Sequence, residues 1–150
     1  VLGTDIRENA MNRLATLGGV PVPLKQIMSD CDVVVATTGK PGLITPEMVR
    51  PGQVILALSN PDPEIKPEEA MKRGALFAAD GRTINNALSF PGLFRGALRA
   101  HATHFTDAMK LAAAHAICGQ TKMDNIVPSI LDREVHESVS NAVAKAVYLN

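Results

Sequence analysis

Two loop segments carry the side chains whose types and spacing best suit the binding of a small polar ligand. Asn60 lies in Leu-Ser-Asn-Pro-Asp-Pro-Glu-Ile (residues 58–65), and Asn85 and Asn86 begin Asn-Asn-Ala-Leu-Ser-Phe-Pro-Gly-Leu-Phe-Arg-Gly-Ala-Leu (residues 85–98). Each segment follows an apolar run and contains proline or glycine, which predicts a loop after a strand. A carboxamide donates and accepts hydrogen bonds without adding charge. These side chains therefore suit a site that holds a nicotinamide amide or a ribose beside a small carboxylate.

The elements that must position these loops alternate between strands and helices. Predicted strands cover residues 1–4, 33–37, 54–58 and 75–78, with a short extended piece at 20–22. Predicted helices cover 8–17, 23–30 and 67–73, and then 91–102, 107–118 and 133–147. The β-branched run at 33–37 shows no alternation, which predicts a parallel strand buried on both faces. The order of elements predicts an α/β fold, a Rossmann-like doubly wound parallel sheet followed by C-terminal helices.

Composition excludes several classes of protein. The 150 residues are 46% hydrophobic and 20% charged, which is typical of one globular domain rather than a disordered chain. Aromatic residues make up 3%, and 15 basic residues balance 15 acidic ones, so neither base stacking nor a basic surface indicates nucleic-acid binding. Cys31 and Cys118 form no CxxC pair and are interpreted as buried free thiols, which indicates a cytoplasmic protein. The sequence has no apolar run long enough to cross a membrane, which indicates no membrane partner.

Two further groups of residues follow predicted strands. Asp5 either caps the helix at 8–17 or accepts hydrogen bonds from the adenosine ribose of a dinucleotide, as an acidic residue does after the second strand of such folds. In the second case the first strand and the glycine-rich phosphate loop would lie about 20 residues upstream, before Val1. A carboxylate there favours NAD over NADP, and Arg7 partly offsets this preference. Thr37, Thr38 and Gly39 form either a polar turn or a loop that lets the backbone approach a cofactor.

Asn60-Pro61 and the block Asn85–Gly96 together resemble the cofactor-binding part of malic enzymes, which oxidise and decarboxylate malate to pyruvate. The resemblance covers nearly the whole chain and implies that residues 1–150 are part of an NAD(P)-binding domain. It implies that Asn60 contacts both the nicotinamide and malate. It also implies that Asn85 holds a substrate carboxylate and that Asn86 shapes the nicotinamide pocket. Alone, Asn60 would be interpreted as a turn former.

The remaining catalytic parts of that family come from other segments. Family members use Mg²⁺ or Mn²⁺ held by carboxylates, a lysine base and a tyrosine acid, and none of these motifs is present here. Tyr148 matches no catalytic motif, and His101, His104, His115 and His136 are interpreted as solvated or helix-end residues rather than metal ligands. The acidic residues Glu64, Glu68 and Glu69 are interpreted as the solvated start of a helix. We therefore expect a metal-dependent homodimeric parent enzyme, no metal or catalytic residue in this chain, and no turnover by this chain alone.

Two other interpretations remain open from the residues. The chain is either part of another nicotinamide-dependent dehydrogenase that shares the Thr-Thr-Gly loop, or a non-catalytic NAD-binding or assembly module. The first does not account for both asparagine segments together. Malate-dependent reduction of NAD in the presence of Mn²⁺ or Mg²⁺ separates the alternatives.

Overall fold

The computed structural model describes residues 1–122 and 125–149, which form the predicted α/β arrangement of parallel strands and C-terminal helices. The chain divides into two compact units, Val1–Ile84 and Asn85–Asn150. Across the described ranges, no helix combines the length and the apolar content needed to cross a membrane.

The first unit contains two parallel sheets and three helices. β1 (Leu2–Gly3) pairs with β2 (Val20–Pro21), and β3 (Val33–Ala36), β4 (Val54–Ala57) and β5 (Phe77–Asp80) pair in that order. The helices are α1 (Glu8–Thr16), α2 (Leu24–Asp30) and α3 (Pro67–Lys72). A core built around Met28, Ile44, Ile55 and Ala70 joins α2 and α3 to the three-stranded sheet.

The register of the three-stranded sheet places the carboxyl ends of its strands at one level. Ala36 lies opposite Ala57, and Ala57 lies opposite Asp80. The loops that follow all three strands therefore begin side by side. In open parallel sheets, this edge is where ligands bind.

Two expectations about the strands are wrong. β3 alternates, with Val34 and Ala36 buried in the core and Val33 and Val35 58% and 60% exposed, because the core covers only one of its faces. β5 begins at Phe77 rather than at residue 75, because Ala75 is buried in the core after the turn at the end of α3. The ladder therefore starts where Phe77 lies opposite Val54.

The second unit is helical and contains α4 (Gly92–Arg99), α5 (Asp107–Gly119) and α6 (Arg133–Ala146). Its core is formed by Met109 and by the α6 stripe Val135, Val139, Val143 and Ala146, in which Val143 rather than Ala142 is fully buried. Thr106 is the N-cap of α5, since its Oγ1 accepts a hydrogen bond from the Met109 N–H at 3.3 Å.

Both cysteines are free thiols, but neither is buried as expected. Cys31 is half-buried after α2, and Cys118 is exposed near the end of α5. The side chains of a helix point to all sides of its axis with a period of about 3.6 residues, so the apolar neighbours of Cys118 in the sequence do not determine which face it occupies.

Two glycines of the 85–98 block hold α4 against α6. A Cβ at Gly92 would lie 2.7 Å from the His136 carbonyl oxygen, and one at Gly96 would lie 2.5 Å from the Ser140 carbonyl oxygen. The glycines lie four residues apart on one helical face, which allows the two backbones to approach closely. Part of this block therefore has a structural role in packing.

Gly96→Ala is expected to destabilise the protein by about 1–3 kcal/mol, because the added methyl group overpacks a rigid backbone contact. Thermal unfolding of the intact protein measures the effect as a lower melting temperature. Gly119→Ala is the matched control, because a Cβ there meets no atom within 4 Å. Equal melting temperatures for the two variants would contradict the packing role of Gly96.

Candidate functional site

The loops after β3 and β4 are joined through the side chain of Glu64, which is fully buried. Its Oε1 accepts hydrogen bonds from the Thr38 N–H at 2.6 Å, the Thr38 hydroxyl at 2.8 Å and the Ser59 hydroxyl at 2.6 Å. The Ser59 Oγ in turn accepts the Gly39 N–H at 2.7 Å. One carboxylate thus connects the Thr38-Gly39 loop to the residue directly before Asn60.

The backbone beside Glu64 strengthens this connection. The Glu64 carbonyl accepts the Ile44 N–H at 3.0 Å, and the Pro63 carbonyl accepts the Gly42 N–H at 3.3 Å. The segment after β4 is therefore fixed to the segment after β3 through both backbone and side chain.

Burial alone would raise the pKa of Glu64, but hydrogen bonds from Ser59 and Thr38 outweigh that effect and hold the pKa below its ordinary value. The carboxyl group is therefore ionised at neutral pH. The expectation of a solvated Glu64 is wrong, because its partners lie on a loop 26 residues earlier in the chain. Glu68 and Glu69 do occupy the exposed first turn of α3, as expected.

Asn60 is exposed at the end of the β4 loop, and Gly81 supports it from the β5 loop. A Cβ at Gly81 would lie 2.5 Å from the Leu58 carbonyl oxygen and 2.6 Å from the Asn60 Nδ2. The Arg82 Nη2 also donates to the Pro61 carbonyl at 3.1 Å. The absence of a side chain at Gly81 thus allows the Asn60 amide to lie against the neighbouring loop.

Asp80 organises the turn that follows β5. Its Oδ1 accepts hydrogen bonds from the Arg82 N–H at 3.1 Å, the Thr83 N–H at 3.0 Å and the Thr83 hydroxyl at 3.0 Å. Burial raises the pKa of Asp80, but these hydrogen bonds outweigh it and lower the pKa below its ordinary value. The turn brings Gly81 into position beside Asn60.

Asn85 and Asn86 are exposed at the start of the second unit. The Asn85 Oδ1 accepts the Ala87 N–H at 2.9 Å and so caps the short 3₁₀ turn Asn86–Leu88. The oxygen of this amide therefore holds the turn in place. The peptide bonds before the prolines of both asparagine segments, Asn60–Pro61 and Phe90–Pro91, are cis.

Asp5 and Arg7 form an ion pair after β1. The Asp5 Oδ1 accepts from the Arg7 Nε at 3.1 Å and from its backbone N–H at 2.8 Å, and Oδ2 accepts from Nη2 at 3.1 Å. The side-chain bonds from Arg7 lower the pKa of Asp5. The N-cap of α1 is Arg7, so the helix-cap interpretation of Asp5 is wrong. An open cavity of about 570 Å³ lies beside the pair and is lined by Arg7, Glu8, Asn9, Ala10 and Arg13.

Metal-ligating groups of side chains are absent from residues 1–122 and 125–149, where no three His, Cys, Asp or Glu side chains come together to hold an ion. The His136 Nε2 lies 2.8 Å from the Ile130 carbonyl oxygen, which gives this histidine a structural contact. Tyr148 is exposed beyond the end of α6.

The parallel strands, the helices between them and the C-terminal helices make this a Rossmann-like α/β fold. The family model described as malic enzyme, NAD binding domain, matches residues 21–149, and the chain belongs to this family. It is 56% identical over 147 residues to NAD-dependent malic enzyme 1 of Bacillus subtilis, covering 97% of this chain and 34% of that protein. It is 40% identical over 136 residues to the bifunctional malic/malolactic enzyme of the same organism, covering 82% of this chain and 33% of that protein.

Solved structures agree with this assignment. The malic enzyme of Pyrococcus horikoshii Ot3 superposes with a TM-score of 0.74 at 40% identity, covering 83% of this chain and 32% of that one. The chain thus spans about a third of the length of the relatives it matches.

Proposed function

We propose that the protein carrying this chain catalyses the NAD(P)-dependent oxidative decarboxylation of malate to pyruvate and CO₂. In this proposal residues 1–150 belong to its NAD(P)-binding domain and supply cofactor binding and part of substrate binding. The observation that carries the proposal is the exposed Asn60 amide, held between Gly81 and the Glu64-linked loops at the ligand edge of the sheet. Names of relatives that include both NAD- and NADP-dependent malic enzymes support it.

The loops fit a nicotinamide dinucleotide. A Cβ at Gly39 would meet no atom within 4 Å, so this loop borders open space in which a ribose or phosphate can approach the backbone. Thr37 and Thr38 are exposed on the same loop. Thr37 offers its hydroxyl group, and the Thr38 hydroxyl donates to Glu64 and so fixes the loop that borders this space. We assign these three residues and Asn86 to cofactor binding.

Asn60 and Asn85 are assigned to substrate binding. Asn85 donates from its amide nitrogen to a malate carboxylate, while its oxygen keeps the turn in place. Asn60 contacts both malate and the nicotinamide, so it orients the substrate C2–H toward the cofactor. When bound, the nicotinamide would supply the hydride acceptor, and Mg²⁺ or Mn²⁺, held by residues outside this chain, would supply a Lewis acid for the substrate oxygen.

The Asp5–Arg7 pair is assigned to the adenosine end of the cofactor. An ionised Asp5 accepts hydrogen bonds from the ribose hydroxyls and repels a 2′-phosphate, which favours NAD. Arg7 already neutralises part of that charge, so NADP remains an alternative cofactor.

Asp5→Ser is expected to shift the preference of the intact enzyme toward NADP. The change removes the ribose acceptor and releases the Arg7 guanidinium to pair with a 2′-phosphate. The ratio of kcat/KM for NAD to that for NADP should fall by about one to two orders of magnitude. An unchanged ratio would contradict the ribose role, and Asp30→Ser, on the exposed end of α2, controls for loss of a carboxylate.

The cellular setting is part of the same proposal. We propose a cytoplasmic protein that binds neither nucleic acid nor membranes, supported by the balanced charge and the two free thiols. The homodimer is proposed from the family resemblance alone. The direct test is an assay of the intact protein for NADH or NADPH formation from malate with Mn²⁺ or Mg²⁺. NAD binding without turnover would favour the alternative of a non-catalytic NAD-binding module, and oxidation of a different substrate would favour another dehydrogenase.

A further inference from the structure

We propose that Glu64 is a positioning residue that holds the loops after β3 and β4 in one arrangement for the cofactor and malate. This inference rests on the function proposed above. The residue touches neither ligand in this proposal and acts through Thr38 and Ser59.

The first argument is the number and origin of the donors. Three donors from two loops converge on one carboxylate oxygen at 2.6–2.8 Å, and the Ser59 N–H lies 3.4 Å from the other oxygen. Distances this short are typical of hydrogen bonds to a charged acceptor. Glutamine has the same size but only one side-chain oxygen. Its NH₂ group would lie opposite the Ser59 N–H, so that two donors would face each other.

The second argument is the cost of the arrangement. A fully buried carboxylate is expensive to desolvate, and an apolar side chain usually fills such a place with equal or greater stability. Among the residues that the structure describes, the donors to the Glu64 carboxylate come from the two loops that carry the proposed ligand contacts. A fixed loop geometry is therefore the property that the carboxylate provides.

The third argument is the path from Glu64 to the ligands. Ser59 donates to Glu64 and accepts from the Gly39 N–H, and the next residue is Asn60. A shift of Ser59 therefore moves the Asn60 amide and the Gly39 backbone together. A displacement of about 1 Å in groups that orient a substrate costs up to about 100-fold in rate.

The test compares Glu64→Gln and Ser59→Ala with wild type in the intact protein. For both variants we expect kcat/KM for malate to fall about 10–100-fold, with a higher KM for malate and a higher Kd for NAD. The double variant should lose little more than either single one, because both changes break the same connection. Ser59→Thr keeps the hydroxyl and should restore most of the activity.

Glu69→Gln on the exposed first turn of α3 is the matched control and should behave as wild type. A purely structural role would lower the melting temperature and the fraction of active enzyme but leave the KM for malate and the Kd for NAD unchanged. That result would overturn the positioning role, as would additive losses in the double variant.

NAD titration separates the failure of this inference from the failure of the proposed function. A wild-type protein that binds NAD without oxidising malate overturns the malate function, and the Kd of Glu64→Gln for NAD then decides the positioning role alone. An unchanged Kd in that case overturns it. A wild-type protein that binds no NAD overturns both.

Discussion

Asn85→Asp is expected to lower kcat/KM for malate by about 100-fold or more in the intact enzyme, with little change in NAD affinity. The change replaces an N–H donor with a carboxylate that faces a substrate carboxylate, and like charges in a partly desolvated site are strongly unfavourable. The Ala87 N–H can still donate to an aspartate at this position, so the 3₁₀ turn is kept. The melting temperature should therefore stay close to that of wild type.

Asn141→Asp is the matched control for added charge, because Asn141 is exposed on α6 and accepts a hydrogen bond from the Arg99 Nη1 at 3.0 Å. Steady-state kinetics with malate and NAD varied separately, together with thermal unfolding, distinguish the two variants. Near-normal malate kinetics for Asn85→Asp would mean that this side chain is only a turn former, and the substrate role would be withdrawn.

Gly81→Ala is expected to lower kcat/KM for malate by about 10–100-fold, because the added methyl group displaces the Asn60 amide. The obstacle includes the Leu58 backbone oxygen at 2.5 Å, which cannot move away as the end of a flexible side chain can. The KM for malate and the Kd for NAD should both rise, since Asn60 is assigned to both ligands.

The control for this variant is Gly119→Ala, where the added Cβ has open space. Asn60→Ala provides a second comparison, and the double variant with Gly81→Ala should lose little beyond Asn60→Ala alone. If Gly81→Ala lowers the melting temperature but leaves the kinetics of folded enzyme unchanged, the contact with Asn60 has no functional role.

Local patterns predicted most of the elements. The apolar runs at 33–37 and 54–58 locate β3 and β4 to within a residue, and Thr106 locates the start of α5. Apolar runs and helix starts are determined by residues that are close together in the sequence, so a local pattern is enough to predict them. Loops after strands of a parallel sheet share one edge, so the proximity of the Thr38 and Ser59 loops also followed from the order of elements.

The features that sequence reasoning missed depend on distant partners. Glu64 is buried because Thr38 and Ser59 surround it, and a single sequence shows only three acidic residues near a helix. A signal was present in Ile65, an apolar residue that lies between Glu64 and the exposed first turn of α3 and is buried in the structure. Gly92 and Gly96 belong to the block that resembles a ligand-binding motif. Their role in packing is not visible in the sequence, because the α6 residues that they contact lie more than 40 positions later in the chain.

The three neighbouring strands end in register, at Ala36, Ala57 and Asp80, and this alignment has an evolutionary consequence. Because the sheet fixes where each loop begins, insertions or deletions within a loop change its reach without shifting the core. Selection can therefore alter a ligand contact one loop at a time, at little cost in stability. The exception is the pair of loops joined by Glu64, because a new loop after β3 must still donate hydrogen bonds to this carboxylate from the loop after β4.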